Sequence, residues 1–164
     1  MRYNEQYIDI TWENSTIRKW LNETFINRAF TAEQRSKIIK SCIENRDNAK
    51  WGTKGGNATR DKLFLLSIEE VEKYFKDDES RAAYPTPYAK SKKSVNGNLY
   101  VYVDDDHIRT NRGSSCWWWL RSPGDIQFNA ANIFPYGKVC SLGNFVFDDR
   151  NAVRPAFKIN LNSF

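Results

Sequence analysis

A chain of 164 residues is about one domain long and can bury a core of its own. At 40% hydrophobic, 15% aromatic and 27% charged, the composition excludes a disordered or low-complexity chain. The net charge of +5 is scattered, and the short basic groups, KSKK at 90–93 and Arg109 with Arg112, form no block; this favours a solvated surface over a nucleic-acid face.

The opening MRYNEQYIDI is polar, and no apolar stretch is long enough to span a membrane, so neither a signal peptide nor membrane insertion is expected. WENSTIRKWLNETF at 12–25 predicts a helix capped at Asn14 or Ser15, with Ile17, Trp20, Leu21 and Phe25 as its apolar stripe. A second helix is predicted in FTAEQRSKIIKSCI at 30–43. Thr31 and Gln34 make its capping box, and Ile38, Ile39 and Cys42 share a face. Residues 45–59 read as a polar, Gly-rich loop. DKLFLLS at 61–67 reads as a short buried strand, and Ser67 with Glu70 caps a third helix over SIEEVEKYF. Residues 76–98 have no period and read as an irregular excursion. Strands follow at NLYVYVD (98–104) and CWWWLRS (116–122), then short segments punctuated by Gly137 and Gly143, and a closing AVRPAFKINL. Helices first and strands later predict an α+β fold in a single domain covering residues 1–164.

Alternation along a strand sets Trp117, Trp119 and Arg121 on one face and Trp118 and Leu120 on the other. Large residues on both faces predict a central strand covered on both sides, with an exposed aromatic platform as the other reading. The planar fork of Arg121 suits a carboxylate or loop carbonyls. Pro123 and Gly124 end the strand.

No catalytic pattern stands out. Asp104, Asp105 and Asp106 precede His107, the one histidine, but a calcium site needs roughly six to eight converging oxygens, so a solvated turn is expected and no metal is assigned. Asp148 and Asp149 are likewise expected at the surface. No nucleophile elbow, phosphate loop or dinucleotide fingerprint is present, and no enzymatic activity or cofactor is expected. Three cysteines without a CxxC pair argue against a disulfide framework or structural zinc. A Cys116–Cys140 bridge would need their strands side by side.

An ordered set of motifs carries a resemblance. WWLRSPG at 118–124, AANI at 130–133, Gly137, Gly143, Val146 and VRPAF at 153–157 resemble a bacterial and phage family, DUF6273. TWENSTIRKWLN at 11–22, AF at 29–30, DKLFLLSIEE at 61–70 and PT at 85–86 follow the family's order, so the resemblance covers nearly the whole chain. It implies a C-type-lectin-like fold, in the branch shared with formylglycine-generating enzymes. That fold has helices in the N-terminal half and a small twisted antiparallel sheet with long irregular loops in the C-terminal half. Two departures are expected to matter. The stretch before TW is short for the family, as if a first strand were missing, and Ala152 stands where the family has glycine.

Proteins of this build also resemble the variable proteins of diversity-generating retroelements, in which fixed scaffold residues hold a varied surface. In residues 125–151 the scaffold positions are Ala130, Ala131, Ile133, Gly137, Val139, Gly143 and Val146. Between them stand Phe128, Asn129, Asn132, Phe134, Tyr136, Asn144, Phe145, Phe147 and Asp148, a mixture of rigid aromatic area and adaptable polar groups. The expected function is non-enzymatic recognition of a protein or glycan through these nine residues. Two other readings stand beside it. One is an oxidase-like enzyme using Cys116 and Cys140 as a copper or redox pair. The other is a structural domain of a larger cell-surface or phage assembly, with an open sheet edge that receives a partner chain.

Overall fold

The computed structural model describes residues 1–87 and 115–160. The hydroxyl of Ser15 accepts the Arg18 N–H and starts a helical segment that runs through α1 (Thr16–Trp20), a π turn (Leu21–Phe25) and α2 (Ile26–Ala29). Ile17 and Leu21 are fully buried, as their spacing predicts. The π turn inserts one residue into the repeat, so Ile26 takes the next core position. Phe25 instead lies half-buried against Trp20 and Phe30.

The capping box of Thr31 and Gln34 is present at α3 (Ala32–Lys37). The helix stops there, short of its expected extent. Ile38 and Ile39 form β1 (Ile38–Ile39), and Cys42 lies in β2 (Ser41–Ile43), which pairs antiparallel with β3 (Thr59–Asp61). Burial alternates, with Ile38 and Ile43 inside and Ile39 and Cys42 outside, because β-branched residues with backbone partners favour a two-residue period. The buried strand expected at 61–67 is shorter and earlier. Leu63, Phe64 and Leu65 are buried, but only Phe64 makes a bridge, exchanging two backbone hydrogen bonds with Ala156.

The box of Ser67 and Glu70 opens α4 (Ile68–Tyr74). Inside the expected irregular excursion, Asp77 and Ser80 cap a further short helix, α5 (Asp78–Arg81). The strand expected at 98–104 and the Asp104–His107 cluster lie outside the described residues.

The second half is built on an antiparallel sheet of β4 (Trp118–Pro123), β5 (Asn129–Ile133) and β6 (Val139–Phe145), in that order. β4 is buried on both faces, as expected. Trp119 packs with Tyr3, Trp12, Ile17 and Leu21; Trp118 and Leu120 pack with Val71, Ala131 and Ile133. Burying one such indole is worth on the order of 5 kcal/mol before entropy is counted. β4 is not the middle strand, however; β5 is. The outer edge of β4 bonds instead to the Leu66 carbonyl and, through Trp117 and Trp119, to Ala152. The closing segment adds β7 (Lys158–Ile159), paired with β1.

The molecule is thus a mixed helix and sheet structure with small antiparallel sheets, one of them the β2–β3 ribbon in the half expected to be helical. Gly137 closes the β5–β6 hairpin at φ +92°, and a Cβ there would lie 1.5 Å from the Asp78 carbonyl oxygen. Ala152 needs no such freedom, since no described residue other than glycine has positive φ.

Candidate functional site

Residues 125–151 hang from a polar frame. Arg121, at the end of β4 and 6% exposed, donates to the Leu65 and Glu44 carbonyls and pairs through both terminal nitrogens with Glu70. Its sequence-level choice between a carboxylate and loop carbonyls therefore resolves to both. Buried Asn48, in the loop of residues 45–58, donates to the Pro123, Gly124 and Ser141 carbonyls, and Thr53 donates to the Asp125 carbonyl. On the other side the N-terminal strap is bonded in, with Asn4 N–H on Val146 and Ile10 N–H on Gln127.

This frame exposes aromatic side chains. Tyr7 stands at the centre of a cluster, its ring centroid 4.9 Å from Phe128, 5.4 Å from Phe145 and 5.0 Å from Phe147, all in edge-on geometry. Phe145 and Phe147 alternate with buried Val146, so both project outward. Tyr7, Phe145 and Phe147 remain 52%, 47% and 40% exposed, with Ile8 at 46% beside Tyr7 in the chain. Phe128 is half-buried beneath them. Three clustered rings held in water are costly unless a partner covers them.

The nine expected ligand residues do not form one surface. Phe128, Phe145 and Phe147 join Tyr7. Phe134 and Tyr136 stack at 5.2 Å at the hairpin tip, with Trp117 4.3 Å from Phe134. At about 3.3 Å per strand residue, the six steps from Phe128 to Phe134 separate the two groups by roughly 20 Å. Asn129 donates to Asp125, and Asn144 is half-buried in β6 opposite Ala130.

Asn132 is fully buried, which corrects its expected place at the surface. It lies in β5 between Trp119 and Cys140, facing the core, and both its carboxamide atoms lack a partner. Asp148, also expected to be exposed, is mostly covered and clasps Arg150. Burial pushes its carboxyl up, yet the Arg150 guanidinium and N–H outweigh that and hold it below the usual carboxylate value. Tyr7 was missed because nothing in MRYNEQYIDI marks it; only the backbone bonds of the strap carry it to the Phe cluster.

A family model described as "Domain of unknown function (DUF6273)" matches residues 1–161. The chain belongs to the DUF6273 family. Comparisons with curated proteins and with solved structures gave no match. In this DUF6273 chain, the WWLRSPG residues that carry the family resemblance supply the frame, with Trp118, Trp119 and Leu120 in the core and Arg121 in the polar clasp. Its three cysteines are free thiols. Cys116 is buried and donates to the Ala83 carbonyl at 3.4 Å, and burial pushes its thiol up to about 11, against a smaller pull from Arg154. Cys140 lies in β6 opposite Asn132. Among the described residues no three His, Cys, Asp or Glu side chains gather to hold a metal ion, and no helix is long and apolar enough to cross a membrane.

Proposed function

We propose that this DUF6273 chain is a non-enzymatic recognition module of C-type-lectin-like build, which binds a protein ligand through Tyr7, Phe128, Phe145 and Phe147. The observation that carries the reading is the four-ring cluster, in which Tyr7, Phe145 and Phe147 are exposed and Phe128 is half-buried. Edge-on contacts hold the rings in place before a ligand arrives, so little side-chain entropy is lost on binding. The polar groups beside the rings favour a protein over a glycan. Asn129 is engaged with Asp125 and Asp148 with Arg150, which leaves few directional groups for sugar hydroxyls. Diversification of residues 125–151 by a retroelement belongs to the same proposal. It is supported by the outward side chains of Tyr136, Leu142, Phe145 and Phe147 on a backbone held from within.

Selection from a peptide display library, alongside a glycan array, tests the ligand class. The selected peptide should bind Tyr7→Ala/Phe147→Ala at least about tenfold more weakly, since anchoring aromatics in an interface each contribute roughly 1–2 kcal/mol or more. Both side chains are already half in water, so the melting temperature should move little. Unfolding of the double variant, or selection of glycans alone, would sink the reading.

A further inference from the structure

We propose that the groove between the first helix and the β2–β3 ribbon binds a small dianion of phosphate or sulfate type, independently of the aromatic surface. The groove is an open cavity of about 520 Å³. Five cations line it from three parts of the fold: Arg18 and Lys19 on α1, Lys40 just before β2, and Arg60 and Lys62 in and just after β3. Lys40 and Lys62 flank the paired residues Ser41 and Asp61 at the same end of the ribbon, so two like charges adjoin across the strands. Such a pairing is unfavourable without a counter-charge.

The protein's own carboxylates do not supply that counter-charge. Asp61 is buried and taken up internally: Trp12 and Thr59 donate to one oxygen, and Arg18 pairs with the other at 2.8 Å. That leaves Lys19, Lys40, Arg60 and Lys62 against Glu13 and Glu23, an excess of two positive charges. Lys62 is steered by the Arg35 carbonyl at 2.7 Å, whereas Lys19, Lys40 and Arg60 have no ion-pair partner among the described residues. The helix start contributes no free donors. The N–H groups of Thr16, Ile17 and Arg18 are engaged by Asn4, Tyr3 and Ser15. Recognition therefore rests on side-chain charge, which selects a compact multivalent oxyanion over a neutral ligand.

The test is a titration of the full ¹⁵N-labelled chain with sodium sulfate at constant ionic strength. Amide shifts should saturate and centre on Lys19, Lys40, Arg60 and Lys62. Lys40→Glu/Arg60→Glu should weaken binding by roughly tenfold or more, because two attractive charges become repulsive. Lys73→Glu/Lys138→Glu changes the net charge equally outside the groove and should bind like the parent. The substituted side chains are exposed, so all variants should keep their melting temperature; Lys40→Ala/Arg60→Ala serves as a milder second variant. Equal weakening by both charge-reversed pairs, shifts scattered over the surface lysines, or no saturation would overturn the proposal.

Discussion

Arg121 and Glu70 lie 51 positions apart, yet each completes the other's bonding. Glu70 accepts the Ser67 N–H that opens α4 and also the Arg121 guanidinium. Arg121→Met would leave a carboxylate and two carbonyls without their donor, so unfolding in urea should reveal a loss of about 3–5 kcal/mol. A loss below about 1 kcal/mol would mean that the clasp contributes little. Cys116 gives a pH signature. Its folded thiol titrates at about 11, above its ordinary value near 9, so between these the unfolded chain loses a proton that the folded chain keeps. Stability from this group is therefore full below pH 9 and declines by at most roughly 2–3 kcal/mol as pH rises to 11. Subtracting the pH dependence of Cys116→Ser isolates it, since buried Tyr3, also pushed up, is common to both proteins.

At the scale of elements, the starts of α1, α3 and α4 and the end of α4 were legible, and the end of α3 was not. Ser15, Thr31 and Ser67 cap where the sequence places them, because a cap depends on three or four neighbouring residues. The end of α3 depends on remote partners: β7, 120 positions on, takes Ile38 and Ile39 into a sheet. The π turn likewise lacks a local signal. Gly137 joins two elements, since its carbonyl accepts from Arg81 while its Cα packs on Asp78. Gly137→Ala should cost at least about 2 kcal/mol, from strained φ together with the displaced α5 backbone. A melting curve matching that of the parent would show that the hairpin and α5 are not locked together.

For the whole molecule, burial divides residues 125–151 into positions that can change and positions that cannot. If the domain is diversified, codon-by-codon sequencing across a source population should find substitutions concentrated at Tyr136, Leu142, Phe145 and Phe147. Buried Ala130, Ala131, Asn132, Ile133 and Val146 should stay constant, because changes in a packed core commonly cost about 1–3 kcal/mol each. A flat profile, or variation at the buried positions, would remove diversification from the proposal.

The sequence alone determined the family, the helix caps and the two-faced burial of β4, because each is written in neighbouring residues or in an ordered set of motifs. Tertiary structure alone decided that Tyr7 joins Phe128, Phe145 and Phe147, that Asn132 turns inward, and that Lys40 and Lys62 meet at one groove. The physical reason is common to all three. Strand alternation assigns a side chain to a face, but only long-range backbone pairing decides what that face meets.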